Sequence, residues 1–258
     1  MTCTGRNQHG YHPLSREALR DPDPCIVAGV QPLLNELQQA VSIQVHDGQD
    51  AQRGPVEQFI HGVFQRSYDA QLSSFYPTLM SFRSDTQLRA AVGLRDTMQG
   101  PLFAEQYLSR PAESLITEHW GQHTARAQIV EVGNLALAGP GEARWLIAAV
   151  TTFLHACGYR WVLFTAVRPL FNAFQRLGLN PVQLGAADPR RLPDGGRDWG
   201  RYYDERPVVC VGDIQSGYRK LNSSVSHGQP MLHALLSEAY SQAATPAFGN
   251  GLLMQGAQ

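Results

Sequence analysis

The stretch from Arg126 to Gly178 constrains this chain more than any other. RAQIVEVGNLAL (126–137) reads as a strand, Gly139-Pro140-Gly141 breaks it, and EARWLIAAVTTFLHAC (142–157) reads as a helix stopped by Gly158. YRWVLFTAV (159–167) is a continuous apolar run, the pattern of a strand buried on both faces. RPLFNAFQRLG (168–178) is a second helix with a glycine stop, and PVQLG a short strand after it. This alternation predicts an α/β unit with at least one parallel strand pair.

The flanking text fits one domain over 41–217. VSIQVHD (41–47) alternates like a strand. RGPVEQFIHGVFQRSYDAQL is an amphipathic helix, with Val56, Phe59, Ile60, Val63 and Phe64 on one stripe. TLMSFRS and QLRAAVGLRD read as strands around a Ser84–Asp85 turn, and PLFAEQYLSRPAESLI as a short helix stopping before Pro111, then a further helical turn. Residues 187–206 form a long loop rich in Pro, Gly and charge, and PVVCVGDI (207–214) is a last strand. The polar, proline-bearing residues 1–40 read as a flexible N-terminal arm, and 218–258 as a C-terminal extension with one short helix, QPMLHALLSEAYSQA.

Composition enters as a set of exclusions. A formal net charge of −1 rules out a basic protein that coats nucleic acid. Lys220 is the only lysine, so the basic complement is otherwise arginine, which phosphate binding and codon usage explain equally well. Cys3, Cys25, Cys157 and Cys210 have no C-x-x-C spacing, and His119 with His123 has no third ligand in view, so no metal site is expected. The N-terminus has no apolar stretch of a signal peptide. The longest nearly apolar run, Trp145–Cys157, is shorter than a membrane span of ~20 residues. These features predict a soluble protein of a reducing, cytoplasmic compartment.

Three places carry candidate chemistry. The turn Gly139-Pro140-Gly141-Glu142-Ala143-Arg144 joins a strand to a helix, where backbone N–H groups and the helix dipole favour a phosphate. It matches neither the dinucleotide nor the P-loop fingerprint, so a plain turn stays open beside a phosphate site. Glu131, inside an apolar strand, is either a buried general base or half of an ion pair with Arg126 or Arg95. Strict alternation puts Glu131 and Gly133 on one sheet face and Asn134 on the other. The loop Trp199–Asp204 groups aromatics with charge, which suits either a binding loop or a packed surface loop. Cys157 and Cys210 read as buried small residues, and no G-x-S-x-G elbow supports serine hydrolysis.

The blocks IVEVGNLA, GPGEAR, YRWVLFTA, LFNAFQRLGLNP, AADPRRL, WGRYYDERP and VVCVGDI, in that order, resemble the bacterial family of thermostable hemolysins, over roughly Val41 to Gly217. The same order is similar to the GNAT superfamily of acyltransferases, and more distantly to acyl-homoserine-lactone synthases, where a glutamate sits at the place of Glu131. Asn134 stands where those synthases tend to have arginine.

The resemblance implies a mixed, mostly antiparallel sheet with a central parallel pair and flanking helices. It implies an N-acyltransferase moving an acyl group from acyl-CoA, or from the phosphopantetheine of a carrier protein, to a small amine, with no tightly bound cofactor. Glu131 would take the amine proton, Tyr202 or Tyr203 would protonate the leaving thiolate, and the 139–144 turn would hold the donor's pyrophosphate. Asn134, Asn172, Trp199 and Asp204 are pocket candidates. An aminoacyl-tRNA donor is not favoured, because acidic and basic residues nearly balance at 190–206, four against five. A membrane-active or lipid-modifying toxin, as the family name suggests, and a non-catalytic binding protein are the rival readings.

Overall fold

The computed structural model describes Leu37, residues 39–224 and residues 229–244 of the 258-residue chain. The predicted N-terminal arm therefore lies outside the described residues except at its end. There Leu37 is buried in the core and Gln39 accepts a hydrogen bond from Ser84 Oγ at 2.8 Å.

β1 (Ser42–His46), β2 (Thr78–Ser84), β3 (Gln87–Asp96), β4 (Ile129–Leu137), β5 (Trp161–Ala166), β6 (Val182–Ala186) and β7 (Val208–Asp213) make one sheet, in the order β1-β2-β3-β4-β5-β7-β6. Every neighbouring pair is antiparallel except β4 with β5. The helices are α1 (Arg53–Tyr68), α2 (Ala112–Trp120), α3 (Ala143–Ala156), α4 (Arg168–Arg176), α5 (Ile214–Ser224) and α6 (Pro230–Gln242). This is the mixed, mostly antiparallel sheet with a central parallel pair and flanking helices that the sequence led us to expect. No helix among the described residues is long and apolar enough to cross a membrane.

Strand alternation sorts the core into two layers. Met80, Phe82, Val92, Leu94 and Val130 face α3 and α6, where Trp145, Phe153, Leu232 and Leu235 meet them. Phe82 and Trp145 pack edge to face with centroids 5.5 Å apart. Leu79, Ala91 and Ala136 point the other way, onto Val56, Ile60 and Phe64 of α1. Ile129 and Leu163 continue that second face under α2. Each large side chain buried this fully contributes about 1.5–3 kcal/mol.

Several expectations change at their edges. Residues 126–128 form a 3-10 turn rather than the start of β4, and Phe103–Tyr107 is a 3-10 turn rather than an α-helix. The 187–206 loop contains three more such turns. The C-terminal extension departs most. It carries two helices instead of one, α5 begins at Ile214 straight out of β7, and α6 buries Leu232, Leu235 and Ala239 in the main core. Its Ser- and Gln-rich composition hid the three apolar residues that α6 places on one stripe.

Two irregularities in the central strands shape the site. β4 and β5 pair only from Ile129↔Trp161 to Val132↔Phe164, then part. Just there β4 bulges against β3: Gly93 pairs with Gly133 and Ala91 with Ala136, so two β4 residues oppose Val92. Asn134 takes up the extra residue in the left-handed region, with φ of 47°. Asparagine tolerates that conformation better than most residues.

Candidate active site

Where β4 and β5 part, a cavity of about 330 Å³ runs through the sheet. Its walls come from both faces: Phe64, Tyr68, Tyr107, Trp199 and Tyr202 on the α1 side, and Leu146, Val150, Leu154 and Phe174 on the α3 and α4 side. Between them the bulged segment Gly133–Leu135 and Thr165 form the waist, where the β4 backbone has no ladder partner in β5. Phe164 stacks on Phe174 at 4.8 Å and closes one side of the apolar half.

Glu131 sits beside this waist and is 1% exposed. Neither arginine proposed as its ion-pair partner takes that role. Arg126 binds Glu105 at 2.7 Å and Glu113 at 2.8 Å, and the Arg95 guanidinium lies 4.9 Å from the centroid of the Tyr76 ring. Two backbone amides hold the carboxyl instead: Phe103 N donates to Oε2 at 2.6 Å and Ala104 N to Oε1 at 2.7 Å. The 3-10 turn Phe103–Tyr107 supplies both, because the first N–H groups of a helical turn have no partner within it. Burial pushes the Glu131 pKa up to about 7, outweighing the amides, a hydrogen bond from Tyr76 and the charge of Arg95, which all lower it.

Tyr76 was not singled out in the sequence, yet it is the group between Glu131 and the cavity. Its ring lies over Gly133: a Cβ there would come within 2.5 Å of Tyr76 Cζ and 2.6 Å of its hydroxyl. A Cβ on Gly93, directly across in β3, would come within 2.7 Å of Tyr76 Cβ. The two glycines form a slot cut for this side chain. The backbone is pinned as well, since Tyr76 N donates to Asn134 Oδ1 at 2.9 Å and Arg53 Nη2 to the Tyr76 carbonyl at 2.6 Å. Asn134 therefore reaches the same side as Gly133, not the opposite one. The bulge turns it round, and its amide serves as a brace. The one signal pointing to Tyr76 is a pair of glycines, in VGLRD and EVGN, that face each other only once β3 and β4 are in register.

The aromatic loop divides. Trp199 and Tyr202 line the cavity. The Tyr202 hydroxyl donates to Thr165 Oγ1 at 3.3 Å, and the hydroxyls of Tyr107 and Tyr203 lie 2.6 Å apart. Burial raises the pKa of Tyr202 and pushes that of Tyr203 up to about 12. Asn172 on α4 and Asp204 are exposed and stand outside the cavity lining, contrary to expectation, because helix and loop phase turn them outward.

The Gly-Pro-Gly turn is also more committed than its sequence suggests. Glu142 is buried and folds back so that Oε2 accepts from Ala138 N at 3.1 Å and Gly139 N at 3.3 Å. Its Oε1 pairs with Arg89 Nη2 at 2.6 Å. Two amides of the turn are thus satisfied internally, and the Glu142 carboxylate braces the turn instead of meeting an anion. The turn lies outside the cavity lining, although Leu146 and Ile147 of the same helix are part of it.

A second constellation looks catalytic and is not. His46 Nε2 lies 2.8 Å from Ser81 Oγ and its Nδ1 2.7 Å from Asp50 Oδ2, the order of a hydrolase triad. Ser81 is fully buried between β1 and β3 and has no place in the cavity, so the three groups tie β1 to β2. Cys157 and Cys210 are buried as expected, and burial pushes their thiols up to about 12.

The chain matches the family model for thermostable hemolysin over residues 46–218. No curated protein matches it. Solved structures that resemble it include the CoA-dependent acyl-homoserine lactone synthase BjaI with SAM and isopentyl-CoA. It is 14% identical over 79% of this chain and 99% of that one, with a TM-score of 0.49. Others are FeeM, an N-acyl amino acid synthase from uncultured soil microbes (14%, 71% and 95%, 0.47), and the acyl-homoserine lactone synthase LasI (14%, 68% and 91%, 0.47).

Proposed function

The chain belongs to the thermostable hemolysin family, and from that premise and its site we propose that it is an acyltransferase moving an acyl group from a thioester to an amine. The observation that carries this reading is the cavity through the sheet, apolar on one side, with a buried carboxyl just behind the wall at its waist. An acyl chain fits the half lined by Leu146, Val150, Leu154 and Phe174, which puts its thioester carbon at the waist. There the free backbone edge of Gly133–Leu135 faces the carbonyl and polarises it as the tetrahedral centre forms.

Glu131 takes the proton lost by the attacking amine. With a pKa of about 7 it has both forms available near neutral pH, which suits proton uptake and return. It is also the better donor to the departing sulfur. A thiol of pKa near 8.5 is a stronger acid than a phenol at about 12, so a proton would run uphill from Tyr203 and downhill from Glu131. Tyr202 accordingly serves as cavity wall, with Trp199 beside it, and Tyr203 as the hydrogen-bond partner of Tyr107, which also lines the cavity. The phosphates of the donor, whether CoA or the phosphopantetheine of a carrier protein, meet the remaining amides of the turn at Gly141 and Ala143, with Arg144 alongside.

The test is direct. Purified protein is given a ladder of acyl-CoA thioesters from butyryl to palmitoyl, and the same chains on carrier protein, with a panel of small amines. Thiol release and amide formation are read by thiol titration and mass spectrometry. Amide formed in step with thiol supports the reading. No transfer from either donor, together with lysis of red cells, overturns it. Removing α6 is no test of the lytic rival, because its apolar stripe is part of the core.

A further inference from the structure

We propose that Tyr76 is a catalytic residue of this site: its hydroxyl passes the proton between the amine in the cavity and the carboxyl of Glu131. The proposal rests on the acyltransferase reading above and names a group that reading leaves unassigned. Glu131 is sealed from the cavity. Its two oxygens point at the amides of Phe103 and Ala104, and the residue is absent from the cavity wall, whereas Tyr76, Gly133 and Phe103 are part of it. A base that cannot touch its substrate needs an intermediary, and Tyr76 stands between the two: its hydroxyl lies over Gly133, two residues along β4 from Glu131 on the same face, and its side chain lines the cavity.

The fold goes to some length to hold that hydroxyl in place. Side chains are missing at Gly93 and Gly133 so that the ring can lie flat on the sheet, and the bulge at Asn134 supplies an acceptor for the backbone amide. Arg53 fixes the Tyr76 and Pro77 carbonyls at 2.6 and 2.8 Å. Packing alone would be met by phenylalanine. A buried phenol instead calls for a partner for its O–H, and the carboxyl that acts on this one is Glu131. Tyr76 is a poor base in its own right, since burial and Glu131 both hold its proton on. The step is therefore concerted. The amine nitrogen bonds to the thioester carbon and gives its proton to the Tyr76 oxygen, while the Tyr76 proton moves to Glu131. On collapse of the adduct the carbon–sulfur bond breaks, the proton returns by the same path to sulfur, and the products are an amide and a thiol.

Tyr76→Phe keeps the ring in its slot and removes only the hydroxyl. The groups facing Glu131 are Tyr76 itself, Arg95 from β3 and, further off, Tyr107 from the 3-10 turn, so the variant leaves the charged neighbours unchanged. With the donor and amine that support turnover, kcat of Tyr76→Phe is expected to fall about 100-fold or more at little change in the donor KM. The limb of the kcat–pH profile due to Glu131 should vanish, and Tyr76→Phe/Glu131→Gln should be no slower than the slower single variant. Wild-type kcat and pH profile in Tyr76→Phe would overturn the proposal while leaving the acyltransferase reading intact. If the wild type transfers no acyl group, that reading fails by itself, and infrared titration of the Glu131 carboxyl still tests the link. Loss of the phenol should raise its midpoint, and an unmoved midpoint overturns the pairing.

Discussion

Burying a carboxyl at the waist of the sheet has a measurable cost, and it sets the sharpest prediction. Glu131 titrates near 7 when folded and near 4.5 when the chain is open. The folded value is the higher one, so proton binding favours the folded state. That stability is fully present below about 4.5 and is lost as pH rises through about 7. The gap of roughly 2.5 units corresponds to about 3 kcal/mol at 1.36 kcal/mol per unit. Glu131→Gln removes the titration. It also turns an amide NH₂ toward one of the two N–H donors of Phe103 and Ala104, which costs about 1–3 kcal/mol at every pH. The two effects separate because the first is a slope and the second an offset. Urea unfolding of both proteins, followed by tryptophan fluorescence from pH 4.5 to 8, should show the wild type losing about 3 kcal/mol relative to the variant as pH rises. A difference independent of pH would mean that the carboxyl is not desolvated in solution and is not a base poised near neutral pH.

Three further outcomes follow from contacts already described. Gly133→Ala drives a methyl into the Tyr76 ring and should cost about 1–3 kcal/mol, read as a drop in melting temperature, whereas Gly139→Ala, with nothing within 4 Å, should leave it unchanged. Arg89→Ala leaves the buried Glu142 carboxylate without its cation; since Arg89 is about a third exposed, the loss should be nearer 1 than 4 kcal/mol by chemical denaturation. Ser81→Ala breaks the buried tie to His46 and should lower stability by about 1–2 kcal/mol with kcat untouched. A collapse of kcat in that variant would instead reopen the triad as a working site.

Much of the fold was legible because it is local. The strands at 78–84 and 87–96 appear at their anticipated bounds, and α3 and α4 lie within a residue or two of theirs, since apolar period and glycine stops report directly on backbone conformation. The parallel β4–β5 pair followed from the helix between them. Glu131 stood out for a similar reason, as a charge in an apolar strand. The 3-10 turn at 103–107 was read as a helix because one turn of either has the same apolar spacing. The α6 stripe was masked by the polar residues around it.

By itself the sequence determined the sheet's central parallel crossing, the burial of Glu131 and the glycines that flank it. Only the tertiary structure decided what those residues do, because each answer depends on atoms far apart in the chain. Whether Glu131 meets an arginine or two amides is settled by a turn some 27 residues upstream. Whether Asn134 faces toward or away from Tyr76 is settled by a one-residue bulge, which period-two alternation cannot foresee. Tyr76 sits in a plain loop, and its slot exists only when Gly93 and Gly133 come opposite each other across β3 and β4. Local patterns report the backbone of each element. Cross-strand register decides which side chains share a space, and the chemistry of this site lives in that shared space.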